Sequence, residues 1–212
     1  MINKDTKIYC SFSQQAGNKG CALFNTAFAS YGVNSVYKSF SVEDIEKAVQ
    51  AARYLNFAGF AVSMPFKKEV IKYVDEKSDE VEQIGAANTV LNNNGRLIAY
   101  NTDYLAAMHV LKEKNRNKVV ILGDGGYAAA VKYAALTLNM EHELVTRKNW
   151  DRIQFLKNEL VYNCTPVENI VLDKTNDYID CVTKTESGKR LGAIQASHQF
   201  KLYTGLDSPF KF

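Results

Sequence analysis

Short apolar runs alternate with longer segments of helical periodicity, and this alternation constrains the fold more than any other feature of the chain. The runs are rich in Val, Ile, Phe and Tyr and lie near residues 8–11, 35–39 and 57–62. Between them, residues 21–31 and 42–55 carry apolar side chains at helical spacing, and Ser41 is a suitable N-cap for the second segment. Strands and helices that alternate in this way form βα units and largely parallel sheets. We therefore expect an α/β fold.

The middle of the chain is expected to contain a hairpin and then a helix. Residues 87–91 and 96–100 flank Asn92-Asn93-Asn94-Gly95, a sequence that favours a tight turn between two strands. From residue 102 to about 114, apolar side chains recur at the spacing of one helix face.

A glycine-rich turn follows the apolar run 119–122. In Gly123-Asp124-Gly125-Gly126, glycines would let the backbone approach a pyrophosphate, and the helix expected next would offer N–H donors. A tight turn without a ligand explains a single glycine cluster equally well. The next predicted strand, 143–146, ends at Arg147 rather than at an acidic residue. Because arginine can pair with a 2′-phosphate, this favours NADP over NAD.

These features predict two domains. Residues 1–114 would form an N-terminal α/β domain with a mostly parallel sheet. Residues 115–188 would form a reduced Rossmann-like dinucleotide-binding domain. A last helix at about 189–205, starting beyond Gly188, is expected to pack back on the first domain.

Lys67 and Asp103 each follow an apolar strand. Lys67 comes after Met64-Pro65, where a helix is expected to begin, and Asp103 follows the run ending at Tyr100. If the two strands share one sheet with aligned ends, the Lys67 ammonium and the Asp103 carboxylate meet at the edge where such sheets bind ligands. Such a pair is suited to acid–base catalysis on an alcohol. The alternatives are a helix cap at Asp103 and a solvated surface lysine at Lys67.

Composition excludes several classes of function. The net charge is +3 and Lys and Arg form only short pairs, so neither a nucleic acid nor a membrane is expected as a partner. The four cysteines and three histidines lack metal-site spacing, so no metal is expected. The N-terminus has no apolar signal core and no apolar run approaches the roughly 20 residues that span a bilayer, which predicts a cytoplasmic protein.

Five motifs give the chain a family resemblance. They are SMPFKKEV (63–70), GAANTV (85–90), AYNTDYLA (99–106), GDGGYAAA (123–130) and QASH (195–198). They occur in the order found in shikimate dehydrogenases, so the chain resembles that family over nearly its whole length, and in particular its shikimate dehydrogenase-like subgroup.

The resemblance implies that residues 1–114 are the substrate-binding and catalytic domain. It also implies roles for individual residues. It implies that Lys67 and Asp103 are catalytic and contact the substrate hydroxyl. It implies substrate contacts by a set of polar side chains, namely Asn18, Ser63, Asn88 and Gln195. It implies cofactor contacts by the glycine turn and by residues near other strand ends, namely Gly123, Gly125, Gly126, Arg147, Asn163 and Thr165.

The expected activity is an NADP-dependent interconversion of shikimate, or a similar cyclic polyol acid such as quinate, with its 3-dehydro ketone. The partner would be a small polyol carboxylate, and the protein a monomer or homodimer. Two departures keep a non-catalytic, ligand-binding or regulatory paralogue open as the alternative. Asn18 and Gly20 stand where the main group has two serines that hold the substrate carboxylate, and the cofactor domain is short.

Overall fold

A computed structural model of the protein describes residues 2–212 and divides the chain into two compact units. Unit 1 comprises the chain up to Thr102 together with Ser197–Phe210, and unit 2 comprises Asp103–Ala196 with Lys211–Phe212. The division at Thr102 falls before the boundary predicted at residue 114. The physical reason is that the helix after Thr102 buries its apolar side chains in the core of unit 2.

Within the described residues, unit 1 is built on a six-stranded mixed sheet. Its strands are β1 (Lys7–Ser13), β2 (Ser35–Ser41), β3 (Gly59–Val62), β4 (Glu76–Lys77), β5 (Thr89–Asn93) and β6 (Arg96–Tyr100). Their order across the sheet is β2-β1-β3-β5-β6-β4. Strand β1 is parallel to β2 and β3, and β4 is parallel to β6, whereas β5 runs antiparallel to β3 and β6.

In unit 2, the described strands form a four-stranded parallel sheet. They are β7 (Lys118–Leu122), β8 (Glu141–Val145), β9 (Leu160–Asn163) and β10 (Asp177–Asp180), in the order β10-β9-β7-β8. The segment Arg147–Phe155, which is 3₁₀-helical apart from a kink at Asn149, leads from β8 to β9. Residues 119–122 of β7 are fully buried, because apolar clusters cover both faces of this small sheet.

The helices complete both units. They are α1 (Lys19–Ser30), α2 (Ile45–Tyr54), α3 (Asp79–Ile84), α4 (Asp103–Lys112), α5 (Gly126–Thr137) and α6 (Glu186–Thr204). Among residues 2–212, no helix combines the length and the apolar character that crossing a membrane requires.

The hairpin is confirmed, and local turn chemistry explains it. β5 and β6 pair antiparallel up to Asn93 and Arg96, which leaves Asn94 and Gly95 as a two-residue loop. Both residues have positive φ, 53° and 91°, as a type I′ turn requires. The side chain of Asn92 accepts the Gly95 N–H at 2.7 Å, which closes the turn.

The start of α2 differs from the prediction. Asp44, not Ser41, is the N-cap, and its carboxylate accepts the Lys47 N–H at 3.0 Å. Ser41 is the last residue of β2, and its hydroxyl accepts the Ala16 N–H at 2.9 Å. The prediction was wrong because a serine hydroxyl can serve a distant loop as readily as the helix that follows it.

The start of α6 also differs. The helix begins at Glu186, so Gly188 lies in its first turn instead of preceding it. A Cβ at residue 188 would collide with the carbonyl oxygen of Val182. The Thr185 hydroxyl accepts the Gly188 N–H at 3.0 Å. This glycine therefore permits a close backbone approach and does not mark the end of a loop.

Residues 197–210 pack on unit 1 through aromatic rings. The ring of Tyr203 lies 4.5 Å from that of Tyr9, whose hydroxyl donates to the Tyr203 carbonyl oxygen at 2.7 Å. Phe200 stacks on Phe28 with ring centroids 5.9 Å apart. The last helix thus supplies part of the core of unit 1.

Gly59 provides a test of the packing in unit 1. A Cβ at this position in β3 would lie 2.8 Å from the Val90 carbonyl oxygen and 3.3 Å from the Tyr203 ring. We expect Gly59→Ala to lower the free energy of unfolding by about 1–3 kcal/mol, because backbone and core must shift. Urea denaturation checks this against Gly17→Ala, where nothing lies within 4 Å. Equal stability of the two variants would contradict the packing described.

Candidate functional site

Three strands of unit 1 meet at one edge of its sheet. Since β5 is antiparallel to β3 and β6, its first residue lies beside the last residues of its neighbours, and Thr89 pairs with both Ala61 and Tyr100. The backbone of Asn88 continues this ladder by accepting the Val62 N–H at 2.8 Å. We call the residues that follow or precede these strand ends, Ser63, Lys67, Asn88 and Thr102, the polar edge.

A turn, rather than the expected helix, places Lys67. The Ser63 carbonyl oxygen accepts the Phe66 N–H at 3.0 Å, and Phe66 is buried in the core of unit 1. A short 3₁₀ helix begins only at Val70. The Lys67 carbonyl oxygen accepts the Ala87 N–H at 2.8 Å. The backbone of Lys67 is therefore fixed beside the residue that precedes Asn88, and its side chain is half-buried.

The buried side chain of Asn88 ties the edge together. Its Oδ1 accepts the Thr102 N–H at 2.8 Å and the Thr89 hydroxyl at 2.9 Å, and its Nδ2 donates to the Thr102 hydroxyl at 2.9 Å. Asn88 is only 2% exposed. Asn88 therefore positions the start of β5 and the residues after β6, besides any contact with a ligand.

Gln199 is a residue that the sequence analysis missed. It is buried, and its Nε2 donates to the Thr89 hydroxyl at 2.8 Å and to the Asn88 carbonyl oxygen at 3.2 Å. Gln195, the glutamine that was predicted to bind substrate, lies one helical turn earlier and donates to the Gly192 carbonyl oxygen at 3.3 Å. The spacing of the two glutamines on one helix face was the signal that could have found Gln199.

Asn18 and Gly20 lie at the start of α1. Asn18 is exposed, and its side chain makes no capping hydrogen bond. At Gly20 a Cβ would lie 3.1 Å from the ring of Tyr37, so that ring occupies the space a larger side chain would need. A side chain at residue 20 is thus sterically disfavoured, and the exposed Asn18 amide is the polar group available at this turn.

The glycine turn, residues 123–126, joins β7 to α5 in unit 2. Gly123 has φ of +109°, and a Cβ there would lie 2.9 Å from the Thr165 methyl group. Gly125 is the N-cap of α5, and space around its Cβ position is open. An exposed glycine at the N-terminus of a helix is the kind of turn that can receive a pyrophosphate, and Gly125 has this position. Asp124 is exposed within it.

The strand order places this turn at a switch point of the sheet. From β7 the chain passes to β8 on one side, and β9 then pairs with β7 on the other. In parallel sheets, ligands bind at the carboxyl ends of strands where the order reverses. Arg147 follows β8 and is exposed, directly after Thr146, whose hydroxyl accepts the Lys148 N–H at 3.3 Å.

Asn163 and Thr165 shape the loop opposite the glycine turn. The Asn163 Nδ2 donates to Asp180 Oδ1 at 3.0 Å and to the Val167 carbonyl oxygen at 3.1 Å. Its Oδ1 accepts the N–H and the hydroxyl of Thr165, at 2.9 and 2.7 Å. These bonds use the full capacity of the amide. In this structure Asn163 therefore positions Thr165 instead of offering an amide to a cofactor.

Asp103 is the first residue of α4 and is buried. In the same unit, the hydroxyls of Tyr127 and Tyr162 lie 3.0 Å apart. Burial raises the pKa of both tyrosines well above the ordinary value, and the charge of the Asp103 carboxyl adds to both shifts. Both phenols therefore stay protonated at neutral pH.

The hydrogen bonds of Asn88 are expected to stabilise the folded protein, and this can be tested by mutation. Asn88→Ala leaves the Thr102 N–H and the Thr89 hydroxyl without an acceptor in a buried site, so the free energy of unfolding should fall by about 2–4 kcal/mol. Asn18→Ala is the matched control and should change it by less than about 0.5 kcal/mol, since the side chain is exposed. Chemical denaturation of both variants measures this. An Asn88→Ala protein as stable as the control would disprove the role of the network.

Comparison with known proteins finds similarity to one family. Residues 18–90 match the model of the shikimate dehydrogenase substrate binding domain. A shikimate dehydrogenase-like protein of Haemophilus influenzae is 38% identical over 159 residues, which cover 74% of this chain and 59% of that protein. A shikimate dehydrogenase (NADP(+)) of Pyrococcus furiosus is 36% identical over 138 residues, covering 63% of this chain and 51% of that protein.

The fold agrees with these sequence matches. The crystal structure of shikimate dehydrogenase from Aquifex aeolicus superposes with a TM-score of 0.83 at 24% identity, covering 99% of this chain and 96% of that one. In sequence, the match spans little more than half the length of the two curated relatives. The chain is therefore similar to shikimate dehydrogenases in sequence and in fold, and residues 18–90 match the model of that family's substrate binding domain.

Proposed function

We propose that the chain is an NADP-dependent oxidoreductase that interconverts shikimate, or a similar cyclic polyol acid, with its 3-dehydro ketone. The observation that carries this proposal is the polar edge, where one sheet brings Lys67 beside Asn88 and Thr102. The family supports it, since the Pyrococcus furiosus relative is named a shikimate dehydrogenase (NADP(+)).

Lys67 is proposed as the group that handles the hydroxyl proton. Its neutral amine would accept that proton while the carbinol carbon becomes a carbonyl carbon, and its ammonium would return the proton in the reverse direction. Asp103 follows Thr102 directly in the chain, and its carboxylate is proposed to stabilise the charge that Lys67 then carries. Ser63, Asn18 and Gln195 are proposed to bind the polyol and its carboxylate.

The glycine turn is proposed to hold the cofactor. Gly123, Gly125 and Gly126 would receive the pyrophosphate, Thr165 would lie beside the nicotinamide, and the Arg147 guanidinium would pair with the 2′-phosphate. When bound, NADP supplies the hydride acceptor. No such contact is proposed for Asn163, because its amide is fully used within the loop.

One observation favours a second candidate, a ligand-binding or regulatory paralogue that has lost effective cofactor use. The Asp124 carboxylate lies exposed in the turn that would receive a pyrophosphate, and a negative charge there opposes binding of an anion. Titration with NADPH separates the two candidates, because the paralogue should bind none at about 1 mM, a concentration at the upper end of ordinary KM values.

Lys67 gives the test of the chemistry. Lys67→Ala should lower kcat for shikimate oxidation by about 10²- to 10⁴-fold, the usual contribution of a general base, with thermal unfolding unchanged. Lys68→Ala is the matched control, because this neighbour is exposed, and it should retain turnover. Both rates are followed by the absorbance of NADPH. A Lys67→Ala enzyme with the parental rate would end the proposal.

Arg147 gives the test of cofactor choice. Arg147→Ala should weaken NADPH binding by about tenfold while leaving NADH binding nearly unchanged, because only NADPH carries a 2′-phosphate. Lys174→Ala is the control, since this exposed lysine precedes β10 at the opposite edge of the sheet. Fluorescence titration with each nucleotide measures the ratio of the NADPH affinity to the NADH affinity. An equal loss of affinity for NADPH and NADH would exclude the proposed pairing of Arg147 with the 2′-phosphate.

A further inference from the structure

Two cysteines lie next to each other across neighbouring strands of unit 2. Strands β9 and β10 pair in parallel, with Tyr162 opposite Ile179 and Asn163 opposite Asp180. The ladder continues one step further, because the Cys181 N–H donates to the Asn163 carbonyl oxygen at 3.1 Å. Cys164 and Cys181 therefore occupy corresponding positions. Neighbouring strands lie about 4.8 Å apart, which is within the range of about 4.4–6.8 Å between the Cα atoms of a disulfide.

The two side chains lie on the same face of the sheet. Side chains alternate along a strand, so Cys164 shares the face of Tyr162 and Cys181 shares the face of Ile179. Tyr162 and Ile179 belong to one buried cluster, and both cysteines are partly buried against that cluster.

This cysteine pair adjoins the glycine turn. The Cys181 thiol donates to the Thr165 carbonyl oxygen over 3.7 Å. The Thr165 methyl group is the atom nearest to the Cβ position of Gly123, and the Cys164 carbonyl oxygen lies 3.6 Å from that position. A displacement of Cys164 would therefore move the atoms that pack against the glycine turn.

We propose that Cys164 and Cys181 form a redox-active dithiol, a modification site whose oxidation to a disulfide weakens nucleotide binding at the glycine turn. The co-reactant is a peroxide. One thiolate attacks a peroxide oxygen, the O–O bond breaks, and a sulfenic acid and water form. The second thiolate attacks that sulfur, the S–S bond forms, the S–O bond breaks, and a second water leaves. The two sulfurs lose two electrons to the peroxide, and both thiol protons end in water.

The loss of nucleotide binding follows from geometry. Oxidation removes the S–H group of Cys181, so the Thr165 carbonyl oxygen loses the hydrogen bond that this thiol donates. Thr165, whose methyl group packs against the Cβ position of Gly123, is then held less firmly beside the glycine turn. This consequence rests on the proposed function, since it concerns NADP, whereas formation of the disulfide does not.

Peptide mapping of the whole wild-type chain tests the disulfide. Trypsin separates the cysteines into peptides 158–174 and 175–184. After treatment with hydrogen peroxide and alkylation, we expect these two peptides to be linked and to be released by dithiothreitol. Three results would overturn the proposal. They are recovery of both peptides separately, each alkylated once; oxidation of each cysteine to a sulfinic acid; and linkage of either peptide to Cys10 or Cys21.

Variants and binding complete the test. Cys164→Ser and Cys181→Ser should each abolish the link, whereas Cys21→Ser, at a similarly half-buried thiol in unit 1, should retain it. NADPH affinity should fall several-fold in the linked protein and recover on reduction, and an unchanged affinity would overturn the coupling. If the reduced chain binds no NADPH, the proposed function fails, while the linked peptides still decide whether the dithiol exists.

Discussion

The candidate substrate site depends on the hydrogen bonds of the buried Asn88 side-chain amide. A polar side chain that is 2% exposed must satisfy its hydrogen bonds within the protein, or the free energy of folding suffers. Asn88 does so with Thr89 and Thr102, groups at the ends of two different strands. Its bonds therefore fix Thr102, which lies beyond the last backbone pair of β6, relative to the start of β5, and Lys67 is held beside the same strand start.

Unit 2 also has a buried, hydrogen-bonded asparagine at an edge of its sheet. Asn163 is fully buried, and its four hydrogen bonds join the end of β9 to Asp180 and to the loop through Thr165. The loop in turn brings the Thr165 methyl group so close to Gly123 that no side chain fits there. In both units, a buried asparagine at a strand end forms hydrogen bonds that fix the position of the loop beside it.

The sheet of unit 2 is small, yet residues 119–122 of its central strand are fully buried. With four strands it still buries β7 completely, since helices cover one face and the 3₁₀ segment with its neighbours covers the other. At the amino ends of the strands, Lys118 pairs with Glu143 and Glu159 at 3.3 Å each. The shortened unit therefore keeps the central strand and the turn that follows it, which are the parts that a phosphate-binding site needs.

The sequence by itself determined the features that depend on local chemistry. The Asn94-Gly95 hairpin follows from residues that tolerate positive φ, and the strand, glycine turn and helix of residues 118–137 follow from periodicity and a flexible backbone. The motifs that carried the resemblance were equally local, and the comparisons confirmed that resemblance.

Only the tertiary structure decided what those residues contact. Asp44 instead of Ser41 caps α2, Gln199 joins the Asn88 network, and Asn163 serves its own loop. The neighbouring positions of Cys164 and Cys181 depend on the register of two strands, which no single segment specifies. The physical reason is that a turn is selected by the torsional preferences of a few adjacent residues. A buried hydrogen bond or a strand register is selected by groups far apart in the chain, and these meet only when the whole unit has folded.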